Sequence, residues 1–470
     1  MRRGVKSLRI GGIICAFAAA TLCFSTSALA NSFSLRSAVQ TALDNNPNIE
    51  AARQNHQASS YALRQAEGRR LPEIRLDGDV GRQLIDQPQG LSAGDNNRWR
   101  TRREARLTMR QVLFDAWDRA NDVYKNKART NAAAFRLLER SERIALDTVE
   151  AYIDVRRHRK ILSIARQNLN RHRRILSIVK TRRAGGRAAD SETIQTEERI
   201  AAARAIAQQI QQSLLEAIAK FRRVVGTTPG ALKPIGYPPH LPHNRSSAIR
   251  LAEAHHPSLQ VADADVDSAR FAVAQSRSAN MPVVALEGNA NYGHDLDGTP
   301  GRDEEYVGKV TLNWRIFDGR IGRNRTRELA ARQAQAAAER DARRRQIVEA
   351  IDRALAGYQV GGSRVASLRK RTADSRRVIR AYEDEYKLSK RSLIDLLDSE
   401  NAYFNSQFQL ESVRAVHIFS AYQLAAGIGQ LLEKIRVNAP EAQTFDTSER
   451  RWQGHGWGVT TVHVAPRAKR

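Results

Sequence analysis

Asp395 and Asp398 stand three residues apart in the segment Ser389–Glu400, SKRSLIDLLDSE, among apolar neighbours. On a helix, residues three apart lie on one face, so the two carboxylates would be side by side. Carboxylate oxygens attract cations, which makes a functional role for the pair one interpretation. The other is structural, with Ser392 capping the helix and the first turn favouring an acid at Asp395. Capping accounts less well for Asp398, which lies further into the helix.

Motifs for enzyme chemistry are absent from the sequence. It contains no HExxH zinc-protease motif, no GxSxG nucleophile motif and no phosphate-binding Gly-Lys motif. His158 and His172 stand among charged residues of a predicted helix, where we expect them to be solvated. We therefore expect a protein that is not an enzyme, that binds no cofactor and that has no metal site.

The first thirty residues have the organisation of a secretory signal peptide. A basic start is followed by the apolar core IGGIICAFAAATLCF and by the sequence Ala-Leu-Ala, which predicts cleavage after Ala30. Cys15 and Cys23 are the only cysteines, so the exported chain is expected to contain no disulfide and no thiolate metal site. Beyond this segment no run approaches the ~18 apolar residues of a spanning helix. That leaves a soluble exported protein or a β-barrel, whose signal per strand is much weaker.

The chain is strongly basic, with a formal net charge of +27. The four arginines and lysines of the first thirty residues, which include no acid, reduce this to +23 for the remainder. The basic residues are spread among Asp and Glu along predicted helices, without an aromatic stacking platform. This distribution is typical of a solvated helical surface, and we expect no nucleic-acid partner.

The chain contains an internal repeat. Ser37–Ala52, SAVQTALDNNPNIEAA, corresponds to Ser247–Ala262, SAIRLAEAHHPSLQVA, at an offset of 210. Leu107–Asp115, LTMRQVLFD, corresponds to Val310–Asp318, VTLNWRIFD, at an offset of 203. Each copy follows one plan, which is a helix, two short extended segments and a very long helical stretch.

This plan divides the chain into five segments. The Pro- and Gly-rich sequence TTPGALKPIGYPPHLPHNR excludes a helix between the copies. The composition of the C-terminal tail predicts disorder. The predicted segments are a signal peptide (1–30), a first repeat (31–225), a linker (226–245), a second repeat (246–436) and a disordered tail (437–470).

The extended segments alternate apolar and polar residues. In the first, Ile74, Leu76 and Val80 share one face, while Glu73 and Arg75 belong to the other. Alternation over about 10 residues is typical of outer-membrane barrel strands, although a half-buried sheet in a soluble domain gives the same pattern. Four strands cannot close a barrel, and open edges are not tolerated in lipid. Either the segments do not cross a membrane or several chains complete one barrel.

The long helical stretches run from about Asp115 to Lys180 and from about Arg320 to Tyr386, roughly 100 Å each at 1.5 Å per residue. In the first, the sequence ILSI occurs at Ile161 and again two heptads later. Two neighbouring apolar stripes suit a helix with a partner on each side, as in a tube of helices, whereas a two-stranded coil needs one. A long coiled-coil hairpin remains the alternative.

These features together resemble the TolC family of outer-membrane efflux and type I secretion channels. The most specific motifs are VLFD at Val112–Asp115, IFDG at Ile316–Gly319 and KRSLIDLLDSENAYFNSQ, and the resemblance extends from about Ser34 to Leu432. It implies an α+β membrane protein that forms a homotrimer. Each chain would give four strands to a twelve-stranded barrel in the outer membrane of a Gram-negative cell. The barrel would continue as a long α-helical barrel into the periplasm.

The resemblance also implies roles for individual residues. Asp395 and Asp398 match two aspartates that ring the periplasmic entrance of the family's channel. Tyr386 and Arg391 match a tyrosine and an arginine that tie the inner hairpin to its neighbours when the channel is shut. Asp190, on the first hairpin, is the nearest candidate for their acidic partner.

The function implied by the resemblance is a passive duct for efflux of toxic compounds and drugs, for type I protein secretion, or for both. Its expected partners are outer-membrane lipid, a periplasmic adaptor (membrane fusion) protein and an inner-membrane pump of the RND or ABC type. The alternative, from a different class, is a periplasmic or surface coiled-coil scaffold or adhesin without a pore.

Overall fold

The computed structural model describes residues 33–86 and 95–447, so the predicted signal peptide lies outside the described residues. The two repeats have the same succession of elements, which confirms the repeated plan. The first repeat contains α1 (Leu35–Asn45), α2 (Pro47–Gly68), β1 (Glu73–Ile85), β2 (Arg98–Phe114), α3 (Asp118–Ala184) and α4 (Asp190–Val225). The second contains α5 (Arg245–His255), α6 (Pro257–Ser276), β3 (Val283–His294), β4 (Arg302–Asn313), α7 (Ile321–Lys387) and α8 (Leu393–Gly427), followed by α9 (Leu431–Ile435).

Local capping explains why the corresponding helices begin at corresponding places. Asn46 caps α2, with its side chain accepting a hydrogen bond from the backbone N–H of Asn48 at 3.0 Å. In the second repeat His256 takes this position, and its Nδ1 accepts from the N–H of Ser258 at 3.2 Å. Burial lowers the pKa of His256 to about 4, so the ring is neutral and can accept. A proline follows each cap as the first helical residue, where its missing N–H is not needed.

The four strands form one antiparallel sheet in the order β1-β2-β3-β4. The register pairs Leu76 with Leu107, Leu107 with Ala290 and Leu286 with Val310, so the predicted apolar residues share one face. Among the residues that the structure describes, β1 and β4 are each paired on one side only. Their outer edges offer unpaired N–H and C=O groups to another chain.

The other face of the sheet is polar, and its charges are compensated. Arg106 on β2 forms an ion pair with Glu104 on the same strand. Nε of Arg110 lies 3.4 Å from Oε1 of Glu287 on β3. Arg106 and Arg110 are therefore paired rather than a source of strong positive potential.

The long helices form a layer that continues away from the sheet. α2 and α6 pack on the first half of α3, and α4 and α8 pack on its second half. α7 follows as the outermost helix, in contact first with α6 and then with α8. Both α3 and α7 have 67 residues, which gives each a length of about 100 Å. Among the described residues, no helix combines the length and the hydropathy needed to span a bilayer.

The largest core cluster lies about halfway along α3, where helices of both repeats meet. Tyr152, Phe221, Ile351 and Leu424 are among its fully buried side chains. The inter-repeat segment 226–244 closes this region without forming a helix. The Tyr152 hydroxyl lies 2.8 Å from the carbonyl oxygen of Phe33 and 2.9 Å from that of Lys233, which holds the segment against α3.

The structure corrects the predicted start of the disordered tail. Residues 437–447 cross α2, α3 and α6, and the backbone N–H of Phe445 donates to Asn131 at 2.6 Å. The Thr447 hydroxyl contacts Asp267 at 3.1 Å, and Thr444 is buried. The predicted disorder is therefore wrong for residues 437–447. This segment has no regular secondary structure, but side chains of other helices form hydrogen bonds with it. The remainder of the predicted tail lies outside the described residues.

Candidate functional site at the helical tips

Two helical hairpins end side by side at the end of the molecule away from the sheet. α3 turns into α4 through Gly185 and Gly186, the latter with a positive φ of 71°. α7 turns into α8 through Ser389, whose φ of 61° is also in the left-handed region. Ser392 then caps α8, since its side chain accepts from the backbone N–H of Asp395 at 3.1 Å. The capping expected from the sequence is thus present at this helix.

Asp395 and Asp398 lie on one side of the first turns of α8, as their spacing predicts, with Asp395 half-buried and Asp398 exposed. Each carboxylate has an arginine nearby. Arg391 lies 3.7 Å from Asp395, one turn earlier on the same chain segment. Arg199, on α4 of the first hairpin, lies 3.6 Å from Asp398. The pair is therefore partly neutralised within one chain, and Asp398 connects the two hairpins.

Tyr386, near the end of α7, is the most enclosed of the predicted gate residues, at 2% exposed. Its hydroxyl donates to Oε2 of Glu192 on α4 at 2.8 Å. The guanidinium of Arg182 stacks over its ring, 4.5 Å from the ring centre, and also donates to the Tyr386 backbone carbonyl. Burial and the neighbouring Glu192 carboxylate both raise the pKa of Tyr386 above its ordinary value, so the hydroxyl stays protonated and donates.

Sequence reasoning missed Glu192 and Arg182. Asp190, the predicted acidic partner, lies at the start of α4 and pairs with Arg183 at 2.5 Å. Glu192, two residues later, reaches Tyr386 instead. Within one chain the structure thus assigns this link to Glu192, and a role for Asp190 between chains stays a prediction. The signal that could have pointed to Glu192 is its place in the first turn of α4, where acids are favoured.

Arg391 lies in the turn before α8 and is held by α7. Its Nε donates to Glu385 at 2.9 Å, and its guanidinium stacks over Tyr382 at 4.2 Å. Both contacts are local, within the second hairpin. The structure therefore shows how Arg391 is oriented, while a contact with a neighbouring chain stays a prediction.

A buried polar layer joins the hairpins about two turns into α8. Nε of Arg171 on α3 donates to Oε2 of Glu400 on α8 at 2.6 Å, and Glu400 is 3% exposed. Burial raises the pKa of Glu400, while Arg171 acts in the opposite direction. Sequence reasoning did not single out Glu400, although it closes the segment that contains Asp398. Its partner lies 229 residues away in the chain.

The same layer contains His172, which the sequence predicted to be solvated. The structure contradicts this, since His172 is 4% exposed between α3 and its neighbours. Burial, together with the positive charges of Arg171 and Arg199, lowers its pKa to about 4. The ring is therefore neutral at physiological pH. His158 is half-buried, and its Nδ1 lies 2.9 Å from the carbonyl oxygen of Asp154.

Apolar clusters lie on either side of this layer. On the tip side, Ile175, Val179 and Leu396 pack with Tyr386. On the other side, Ile161 packs with neighbours that include Ile210 of α4 and Phe404 of α8. The tips are thus attached by one small apolar cluster and a set of polar links. Such links can break and re-form as hairpins move, since an exposed ion pair contributes only about 0–1 kcal/mol.

The described part of the chain contains no group of three or more His, Cys, Asp or Glu residues arranged to hold a metal ion. The arrangement at the tips can form hydrogen bonds and ion pairs between hairpins. A set of long helices joined to a four-stranded sheet with two unpaired edges defines a class, namely the subunit of an outer-membrane channel.

The chain belongs to the outer membrane efflux protein family. The family described as "Outer membrane efflux protein" matches residues 38–227 and 248–430, one segment in each repeat. This confirms the predicted family and the location in the outer membrane of a Gram-negative cell, with helices extending into the periplasm. Members of the family are trimeric outer-membrane channels that work with adaptor proteins and inner-membrane pumps.

Two curated relatives share modest identity over most of their length. The outer membrane efflux protein BepC of Brucella suis is 24% identical over 334 residues, which cover 71% of this chain and 73% of that protein. The alkaline protease secretion protein AprF of Pseudomonas aeruginosa is 23% identical over 421 residues, 86% of each chain.

Solved structures share the fold at lower identity. The outer membrane protein VceC of Vibrio cholerae matches with a TM-score of 0.74 at 16% identity, over 84% of this chain and 96% of that chain. The CmeC outer membrane channel of Campylobacter jejuni matches with a TM-score of 0.75 at 13% identity, over 84% and 86%. The predicted fold class, an α+β outer-membrane channel with four strands per chain, is confirmed.

Proposed function

We propose that this chain forms the outer-membrane duct of a tripartite export system, as a homotrimer whose twelve strands close one barrel. The observation that carries the proposal is the sheet with two unpaired edges. Its apolar face is bare, with Leu76 73%, Tyr306 75% and Val310 66% exposed in the single chain. When three copies close a barrel, the strand edges of neighbouring chains pair with each other and the apolar face is covered by lipid.

This observation disfavours the scaffold or adhesin without a pore. A water-soluble scaffold would leave a contiguous apolar face in solvent, where it promotes aggregation. It would also leave two long strand edges open.

The gate in this proposal is the pair of hairpin tips. Tyr386 and Arg182 tie the second hairpin to the first, and Asp398 adds a link through Arg199. Opening requires α7 and α8 to move away from α3 and α4, which breaks these polar links. The duct itself is passive, and energy comes from an inner-membrane pump of the RND or ABC type through a periplasmic adaptor.

The cargo proposed for the duct comprises toxic compounds, secreted protein or both. The names of the two relatives support each class, since BepC is called an efflux protein and AprF a protease secretion protein. A deletion strain tests both, through its sensitivity to drugs and the proteins missing from its culture medium.

The mass of the protein in detergent and its conductance in planar bilayers test the duct directly. We expect three chains and discrete channel openings. A detergent-stable monomer without conductance would refute the proposal. Deletion of Glu73–Val80 is expected to abolish membrane insertion, because the partner edge of β2 would be left unpaired in lipid.

A further inference from the structure

One face of α3 carries a stripe of five basic residues close to the sheet. The members of this basic stripe are Lys125, Arg129, Arg136, Arg140 and Arg143. Their spacings of four, seven, four and three residues keep them on one side of the helix. One acid, Glu139, lies on the same side between Arg136 and Arg140. Its carboxylate accepts a hydrogen bond from Ser258 of α6 at 2.5 Å and forms no ion pair with a described residue.

Three members of the stripe have no acidic partner among the described residues. Arg129, Arg140 and Arg143 are exposed, and within residues 33–86 and 95–447 none of them forms an ion pair. The other two differ, since Arg136 lies 2.7 Å from Asp265 and Lys125 lies 2.7 Å from a buried aspartate. The stripe therefore projects uncompensated positive charge, unlike the polar face of the sheet.

The stripe borders a concavity of about 850 Å³ that is bounded by α2, α3, α6 and α7. Lys125, Arg129 and Arg136 line it, together with Arg325 and Arg332 of α7. The concavity therefore lies on one face of the layer that these four helices form.

The opposite face is occupied by the C-terminal segment. Asn131, which binds Phe445, is two residues from Arg129 and thus on the other side of α3. Asp267, which binds Thr447, is likewise two residues from Asp265 on α6. When copies of the layer close into a tube, one of its two faces becomes the inner wall, and the face opposite the C-terminal segment is taken as that wall. The basic stripe then faces the lumen, and the C-terminal segment faces outward.

We propose that the basic stripe makes this part of the duct selective for anions and that it binds carboxylate-rich cargo on its way to the barrel. This inference rests on the proposed function as a duct. Three copies place nine unpaired guanidinium groups around one lumen. Rings of Arg or Lys favour anions in pores, and guanidinium binds carboxylate in a bidentate geometry. Low-dielectric walls focus the field of such charges and concentrate ions of opposite sign.

The test is the reversal potential of the purified protein in a bilayer under a KCl gradient. In wild type we expect chloride to permeate better than potassium. Replacing Arg129, Arg140 and Arg143 by Glu should lower the ratio of chloride to potassium permeability by roughly an order of magnitude. The effect should be largest at low salt, where the Debye length is about 30 Å at 0.01 M. The corresponding Gln variant keeps side-chain polarity and should give an intermediate ratio.

Cargo binding is tested with two probes added to the bath, a polyglutamate peptide and citrate. Block of the current by both would show recognition of clustered carboxylates, and block by the peptide alone would restrict the cargo to extended acidic polypeptide. In either case the Glu variant should lose the block. If neither probe blocks wild type, binding of carboxylate-rich cargo is refuted.

A matched control removes the same charge elsewhere. Arg204, Arg222 and Arg223 of α4 are exposed and lie outside the concavity, so their replacement by Glu should leave the permeability ratio unchanged. An equal shift in this control would overturn the inference, since total charge would then set selectivity. Conductance with a ratio unaffected by the stripe variants would refute the inference and leave the duct standing. Absence of conductance in wild type would refute the duct.

Discussion

The helical tips and the basic stripe arrange their charges in opposite ways. At the tips, Asp395 and Asp398 each have an arginine within 4 Å, and Tyr386 donates to Glu192. On the stripe, Arg129, Arg140 and Arg143 are exposed and form no ion pair within the part of the chain that the structure describes. Opposite charges in contact cancel each other's field over longer distances, whereas unpaired charges act over about a Debye length. The ion pairs at the tips thus attach the hairpins to each other. The unpaired arginines of the stripe are free to interact with ions and cargo in the lumen.

The contrast predicts that changes at the tips alter stability and opening, while changes on the stripe alter selectivity. The largest effect on stability is expected at the buried pair between Arg171 and Glu400. Arg171→Met should cost about 3–5 kcal/mol, because a buried carboxylate is left without its partner. Thermal unfolding of the trimer, followed by circular dichroism, measures it.

The matched control for this variant removes both charges. Arg171→Met combined with Glu400→Leu should recover most of the loss, since an apolar pair of similar size can replace a buried ion pair. Wild-type stability in Arg171→Met alone would show that this pair does not hold the hairpins together.

Glu142 is a second buried carboxylate, and unlike Glu400 it is bound by backbone N–H groups instead of an arginine. It accepts hydrogen bonds from the N–H groups of Leu431 and Leu432 at 3.0 and 3.2 Å. Burial raises its pKa from 4.5 to about 7. An acid with a raised folded-state pKa contributes stability that is present below its unfolded pKa and is lost as the pH rises through the folded one. The loss between pH 4.5 and 7 should be about 3 kcal/mol.

The free energy of unfolding of wild type and of Glu142→Gln, measured across this pH range, isolates the contribution of Glu142, since the two proteins have all other titratable groups in common. The variant should lose less stability than wild type as the pH rises. Parallel pH dependences in the two proteins would mean that Glu142 has the same pKa folded and unfolded.

Breaking the links at the tips should open the channel. Tyr386→Phe removes a hydrogen bond to a charged group, worth about 2 kcal/mol, and Arg391→Ser removes an exposed ion pair, which contributes little to stability. The double variant should raise conductance and admit large antibiotics into cells. Glu192→Gln, which weakens the same bond from the other side, should act in the same direction. Unchanged conductance in both variants would place the gate elsewhere.

Replacing the two aspartates separates the tips from the stripe. Three copies would bring six carboxylates around the entrance, and we expect multivalent cations to block the pore from the periplasmic side. Asp395→Ala with Asp398→Ala should remove this block and cost at most about 1 kcal/mol per ion pair. The reversal potential should keep the sign set by the stripe and shift further towards chloride, since carboxylate rings favour cations. A retained block with a large loss of stability would show that these aspartates serve capping and packing only.

The smallest effect on stability is expected on the stripe itself. Arg129, Arg140 and Arg143 replaced by Gln should change the free energy of unfolding by less than about 0.5 kcal/mol each, because exposed side chains without partners are removed. Thermal unfolding and cation block should both match wild type. A clear loss of stability would mean that these arginines contact a neighbouring chain, which would contradict a free lumenal surface.

Much of the fold could be predicted because its signals are local. Alternation with a period of two marked the apolar face of β1, and Leu76 does pair with Leu107. The motifs VLFD and IFDG precede α3 and α7 because their aspartates bind the first turn, as when Asp318 accepts from the N–H of Gly322 at 2.7 Å. The position of Asp395 and Asp398 on one side of α8 likewise followed from spacing.

The sequence by itself determined the repeat, the lengths of α3 and α7 and the alternation of the strands, since each depends on residues that are close in the chain. Only the tertiary structure decided that Glu192 rather than Asp190 reaches Tyr386, that His172 is buried and that residues 437–447 are ordered. Burial and pairing depend on neighbours supplied by other helices, and each residue along a helix turns the side chain by 100°. A shift of two positions therefore exchanges one partner for another, and no local pattern records which partner lies across the interface.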